Sequence, residues 1–76
     1  MLKGVDKMLK TKEEIAMIIN LERNKRSLSQ VELAQMSGLS QTTITAIEKC
    51  HINARLNTLM KISSALGIDY KIFLKD

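Results

Sequence analysis

The sequence predicts an all-α domain, a compact bundle of four to five short helices, on three observations. Proline is absent and glycine occurs only three times in 76 residues, so little interrupts helical runs. The apolar residues are mostly Leu, Ile, Met and Ala; Leu, Met and Ala favour helix, and Ile is tolerated when buried. Most of the predicted segments also open on a residue that can cap a helix.

Taken in order, residues 1–10 form an N-terminal extension carrying Lys3, Lys7 and Lys10 with Gly4 and Asp6. Leu2, Val5, Met8 and Leu9 fall at near-helical spacing. A frayed tail is the simplest expectation; a basic arm on phosphates and a short docking helix are the alternatives. The domain proper spans 11–76. Thr11-Lys-Glu-Glu14 is a capping box that opens a first helix to about Arg26, with Ile15 and Ile19 one turn apart on its inner face and Arg23 continuing the line. Ser29-Gln-Val-Glu32 is a second capping box. It opens a helix with Leu33 and Ala34 inside, ending at Ser37 before Gly38, which can adopt the left-handed conformation. Ser40 caps a third helix with Ile44 and Ile47 on one face. Asn57 is the expected cap of a fourth, with Leu59, Ile62, Ala65 and Leu66 inward and Gly67 at its end. The segment Ile68 to Leu74 fits two patterns. Asp69 could cap a short helix, whereas the alternation of Ile68, Tyr70, Ile72 and Leu74 fits a strand; helix is preferred because all before it is helical.

Composition narrows the function. Twelve Lys and Arg against eight Asp and Glu leave a net charge of +4, which suits a polyanionic partner. One cysteine and one histidine cannot close a four-ligand metal site, and a lone cysteine fits a reducing, cytoplasmic setting. The longest apolar run, Ile15 to Ile19, is too short to span a membrane, and the first ten residues lack a signal-peptide core. No nucleophile–base pair, metal set or glycine-rich phosphate loop is present, so neither an enzyme nor a cofactor is expected. Cys50 and His51 are adjacent, and neither helix nor strand turns neighbouring side chains toward each other. His51 is read as a surface residue or phosphate contact, and the methionines as core and interface filler.

The functional pattern lies between Gln30 and Cys50. Counting from Gln30, a helix-turn-helix needs a small residue at the fifth position, where the second helix crosses closely, and Ala34 is there. Its tight turn needs a residue tolerant of positive φ at the ninth, and Gly38 is there. Apolar residues must point inward at the fourth, tenth, fifteenth and eighteenth, and Leu33, Leu39, Ile44 and Ile47 are there. A plain αα-hairpin would meet some of these constraints by chance. The outward face of the third helix argues against it: Gln41, Thr42, Thr45 and Ala46 are short and uncharged, where a merely solvated face carries alternating charge. Between Gln30 and Ile47 the only charged residue is Glu32. A neutral hydrogen-bonding face suits reading of base edges.

These stretches, with Leu28-Ser-Gln-Val-Glu-Leu-Ala, Gly38-Leu-Ser, Ile44-Thr-Ala-Ile-Glu48 and Thr58-Leu-Met-Lys-Ile-Ser-Ser-Ala-Leu-Gly-Ile68, resemble the phage repressor/Cro (Xre-type) regulators over about residues 15–74. The resemblance implies a lambda-repressor-like fold and a small transcriptional repressor or autoregulator that binds double-stranded DNA, with recognition helix 41–49 in the major groove. By the same resemblance Gln41, Thr42, Thr45 and Ala46 would read bases: Gln41 is suited to adenine, Thr42 and Thr45 offer a hydroxyl or a methyl, the methyl suited to thymine, and Ala46 gives only an apolar contact. Gln30, Ser40, Lys49, Asn53 and Arg55 would meet the DNA backbone, Gln30 from a helix start that favours anions. Arg23 and Glu48 would form a structural ion pair. A homodimer on a palindromic operator is implied, with Ile52, Leu56, Met60, Tyr70 and Phe73 as interface candidates because they exceed what a small core needs. The alternative is an Xre-type antitoxin that binds a toxin and represses its own operon. One departure stands out: the family often has Gly or Asn two residues after that Glu, and this chain has Cys50. Either Cys50 adopts strained backbone angles or the helix runs longer.

Overall fold

A computed structural model describes residues 8–76. Among the described residues four helices pack around one core: α1 (Lys12–Lys25), α2 (Gln30–Ser37), α3 (Gln41–Glu48) and α4 (Leu56–Leu66), followed by a 3₁₀ turn over Tyr70–Phe73. The two capping boxes close as expected. The Thr11 hydroxyl accepts from the Glu14 amide while the Glu14 carboxylate accepts from the Thr11 amide, and Ser29 and Glu32 do the same for α2. Ser40 caps α3 by accepting from the Thr43 amide at 3.1 Å. Each bond satisfies a donor that the first helical turn leaves without a partner. No helix among the described residues is long and apolar enough to cross a membrane.

The helices bury the stripes their spacing implied. Ile15 and Ile19 of α1, Leu33 and Ala34 of α2, Ile44 and Ile47 of α3, and Leu59, Ile62 and Leu66 of α4 share one cluster with Phe73. Phe73 is fully buried. This corrects its placement among the dimer candidates: the ring fills the domain's own core and offers no surface to a second copy.

All four helices end in the same way. A residue with positive φ (Ser27, Gly38, Cys50 or Gly67) donates its amide to the carbonyl three residues back. The next residue (Leu28, Leu39, His51 or Ile68) donates to the carbonyl five back. This paired closure satisfies the last orphan carbonyls, and it usually brings an apolar contact from the residue after the turn. Leu28, Leu39 and Ile68 make that contact by packing on the core. His51 does not; it is exposed. The closure of α3 has instead a long contact from the Cys50 thiol to the Lys12 carbonyl, 3.8 Å. Of the two expectations for Cys50, strained angles are therefore the outcome, with φ of +61°. A side chain there costs about 1–2 kcal/mol. Cys50→Gly is accordingly expected to stabilise the domain by about 0.5–1 kcal/mol, since relief of strain is offset in part by glycine's freedom in the unfolded chain. A higher urea midpoint checks this; a lower one would mean the thiol contact outweighs the strain.

Three boundaries differ from expectation. Helix α4 starts at Leu56 with Arg55 as its extended cap residue, not with Asn57. Asn57 lies inside the first turn, where its side-chain oxygen accepts from the Thr58 amide at 2.9 Å. An Asn can therefore satisfy an orphan donor without marking the helix start. The last segment combines its two patterns. Asp69 caps the 3₁₀ turn by accepting from the Lys71 amide, and Leu74 then pairs antiparallel with Leu9 in a single β-bridge. That bridge overturns the frayed-tail expectation for residues 8–10. The Lys10 amide donates to the Phe73 carbonyl, the Lys75 amide to the Met8 carbonyl, and Lys10 Nζ to the Ile72 carbonyl. The expectations for Leu2, Lys3, Val5 and Lys7 lie outside the described residues.

Candidate nucleic-acid interface

Helix α3 is set by the turn before it. Gly38, at φ +73°, reverses the chain after α2, and Leu39 packs against the core. Ala34, only 4% exposed, lets the two helices approach closely. With Ile44 and Ile47 buried beneath, the opposite face of α3 is left outward. Gln41, Thr42, Thr45, Ala46 and Lys49 there line one open hollow with His51. Gln41, Thr42, Lys49 and His51 are exposed, and Thr45 and Ala46 are half-buried.

His51, expected as a surface residue or phosphate contact, was not among the expected base readers, yet it lines the hollow with them. It comes to the hollow because the positive φ of Cys50 turns the chain back at the end of α3. The signal available in sequence was the family's turn position, occupied here by Cys50, with His51 next to it.

No carboxylate is among the described residues that line the hollow. Helix α3 does carry one, Glu48, which would repel phosphate if it faced outward. It is turned inward, its side chain 4% exposed. Arg23 Nε donates to Glu48 Oε2 at 2.8 Å and Arg23 Nη2 to Glu48 Oε1 at 2.9 Å. Arg23 Nη1 also donates to the Leu28 carbonyl at 2.8 Å, and Asn20 Nδ2 donates to Glu48 Oε1 at 3.0 Å. Burial pushes the Glu48 carboxyl up, but the hydrogen bonds from Arg23 and Asn20 outweigh it and hold the group below its ordinary range. The hydrogen bonds to Glu48 in turn raise the Arg23 guanidinium. The expected ion pair is thus present, and it removes from the outward face of α3 the only acidic charge on that helix.

Gln30, expected at the DNA backbone, is half-buried and joined to this network. Its Nε2 donates to Glu48 Oε1 at 3.4 Å, and its Oε1 accepts from the Thr45 hydroxyl at 2.7 Å. Ser40 Oγ, besides capping α3, shares a 2.9 Å hydrogen bond with Thr43 Oγ1. Asn53 and Arg55 are exposed in the loop between α3 and α4 and are not part of the hollow. Of the remaining dimer candidates, Ile52 and Met60 are 42% and 45% exposed, and Leu56 and Tyr70 are half-buried.

The helix-turn-helix family HTH_3 matches residues 19–73, which include the whole of this constellation. The chain belongs to the helix-turn-helix family. The Xre-type resemblance seen in its sequence is upheld by its relatives. This helix-turn-helix chain is 40% identical over 56 residues to the control protein C.SmaI of Serratia marcescens, covering 74% of this chain and 67% of that protein. It is 41% identical over 46 residues to an immunity repressor protein of Bacillus phage phi105, covering 60% of this chain and 32% of the repressor. Among solved structures, an HTH_3 family transcriptional regulator from Vibrio cholerae matches with a TM-score of 0.78 and 32% identity, over 82% of this chain and 35% of that one. The restriction-modification controller protein C.AhdI from Aeromonas hydrophila matches with a TM-score of 0.79 and 25% identity, over 83% of this chain and 96% of that one. The chain thus spans about a third of the phage repressor and of the Vibrio regulator.

Proposed function

We propose that this helix-turn-helix chain is a sequence-specific double-stranded DNA-binding repressor or autoregulator that reads its operator with α3 in the major groove. The observation that carries this reading is the hollow on α3, lined by hydrogen-bonding and small uncharged side chains with Lys49 at its edge. Such a face can meet base edges, while the helix beneath it is held by core residues and by the Arg23–Glu48 pair. Gln41 is its bidentate reader. Gln30, Ser40, Lys49, Asn53 and Arg55 are its backbone contacts. A homodimer would set two copies of α3 about 34–36 Å apart on a palindrome, with Ile52, Leu56, Met60 and Tyr70 at the contact. The relatives named as a control protein and an immunity repressor favour a regulator over a toxin-binding antitoxin.

Selection of bound fragments from random DNA tests the proposal. A palindromic consensus is expected, and the absence of any enriched sequence would overturn it. With that operator, Gln41→Ala is expected to lose about 1–3 kcal/mol of binding and to relax preference at one base pair. Equal weakening on every operator variant would remove Gln41 from the base readers.

A narrower reading is favoured by the match over 96% of C.AhdI, a protein named for restriction-modification control. On that reading, selection from fragmented genomic DNA returns a site beside restriction and modification genes; a site elsewhere overturns it.

A further inference from the structure

From the hydrogen-bond chain behind the reading face we infer that Gln30 makes Thr45 an acceptor-only reader, so that α3 selects adenine or cytosine, not guanine or thymine, at the base Thr45 meets. The inference rests on the DNA-reading proposal and adds a polarity to one of its contacts.

A threonine hydroxyl has one proton to donate and lone pairs to accept with, so left alone it can meet donors or acceptors on a base edge. Here that proton is committed, because Thr45 Oγ1 donates to Gln30 Oε1 at 2.7 Å. The orientation of the Gln30 amide is set from its other end. Its Nε2 faces Glu48 Oε1 at 3.4 Å, and Glu48 is paired through both oxygens with Arg23 at 2.8 and 2.9 Å. An ionised carboxylate only accepts. A flipped amide would set oxygen against oxygen at Glu48, a loss that the Thr45 hydroxyl, able to accept from the amine, does not offset. The charge on Glu48 therefore keeps the amide nitrogen toward itself and the amide oxygen toward Thr45.

The lone pairs of Thr45 Oγ1 are what remains for a ligand, on a residue that lines the hollow with Gln41. In the major groove the hydrogen-bond donors are the adenine N6 and cytosine N4 amino groups. Guanine N7 and O6 and thymine O4 are acceptors, and against these an acceptor-only hydroxyl has nothing to offer. Gln30 is thus a positioning residue for specificity.

The test uses the full chain and the operator returned by selection from random DNA. Each operator position is varied through all four bases and binding is measured for wild type, Thr45→Val, Thr45→Ser and Gln30→Met, with circular dichroism showing that each variant is folded. Thr45→Val keeps the shape and removes the hydroxyl, so the position whose preference it flattens is the one Thr45 reads. There, deletion of the adenine N6 or cytosine N4 amino group by a base analogue, on each strand in turn, is expected to weaken wild-type binding by roughly tenfold on one strand, within the range for one specific contact, and to cost nothing in Thr45→Val. Thr45→Ser should keep that loss, and Gln30→Met should relax the base preference at that position because the hydroxyl proton is released. Amino-group deletion that costs wild type no more than it costs Thr45→Val overturns the inference, as does a base preference that survives Gln30→Met unchanged. Selective binding in which Thr45→Val flattens no position overturns it while leaving DNA reading intact. A chain that selects no sequence overturns both.

Discussion

Glu48→Ala is expected to destabilise the domain by about 3 kcal/mol, the lower end for removing one partner of a buried pair. The lower end applies because the Arg23 side chain keeps 12% of its exposure and retains the Leu28 carbonyl. A core this small supplies only about 3–5 kcal/mol in total, so about 0–2 kcal/mol would remain and between a few per cent and about half of the population would be unfolded at 25 °C. Urea unfolding checks this directly. Substituting both partners by apolar residues, Arg23→Met with Glu48→Leu, should recover most of the loss, since it leaves no charge buried alone; a double variant as unstable as the single one would mean that packing, not the orphaned charge, is responsible. DNA binding by Glu48→Ala would fall with the folded fraction, although the carboxylate faces away from the hollow.

The pair also shapes stability against pH. Burial raises the Glu48 carboxyl and the bonds from Arg23 and Asn20 lower it further than burial raises it, so the folded state releases the proton more readily than the unfolded chain, where a Glu titrates near about 4.3. Between those two values the unfolded state binds more protons, and stability rises with pH. The contribution is complete above the unfolded value and is lost as pH falls through the folded one. Glu14 and Glu32 are lowered in the same direction by the hydrogen bonds of their capping boxes. Glu22 is lowered too, chiefly by its hydrogen bond from Arg26. The acid loss in wild type should therefore be shared by four carboxylates among the described residues, and Glu48→Gln should flatten it only in part. An acid limb unchanged in that variant would remove Glu48 from the account.

Phe73→Ala is expected to cost about 3–5 kcal/mol, as for other fully buried aromatic residues. In a domain of this size each kcal/mol moves Tm by about 4–8 °C, so a thermal melt should show a fall of at least about 12 °C or, where the cost matches the domain's whole stability, no folded baseline at all. The ring's loss should reach the other end of the chain, because the Phe73 carbonyl accepts from the Lys10 amide at 2.8 Å and Leu74 pairs with Leu9. Hydrogen exchange at Lys10 should therefore accelerate along with the melt. Met60→Ala, at a side chain 45% exposed, supplies the contrast: the isolated domain should keep nearly all its stability. A Phe73 variant that melts as the Met60 variant does would show that the C-terminal turn is not part of the core.

Much of the fold was legible because it follows rules that act within one helical turn. Thr11 with Glu14, Ser29 with Glu32, and Ser40 with the Thr43 amide are contacts three residues apart, and sequence spacing states them outright. Gly38 and Gly67 are equally local, because positive φ is nearly free only for glycine. The stripes Ile15–Ile19, Ile44–Ile47 and Leu59–Ile62–Leu66 follow from helical period. The outward face of α3 was what those inward residues left over, so Gln41, Thr42, Thr45 and Ala46 were nameable before any coordinates.

What only the tertiary structure decided joins segments distant in sequence or turns on a local choice with two near-equal answers. Lys10 reaches the Ile72 carbonyl across 62 residues, and no period or cap encodes that. Phe73 reads as surplus apolar surface until the C-terminal turn is folded back onto the core. Asn57 could cap a helix from outside or satisfy an amide from inside; the placement of α4 settled it at Arg55. At Cys50 the helix end needed a left-handed residue whether or not glycine was there, and packing imposed the strain and brought His51 to the hollow. The outward face of α3 was therefore nameable from sequence because it follows from local periodicity. The hydrogen-bond chain from Arg23 through Glu48 and Gln30 to Thr45 was not, because it exists only where three helices meet.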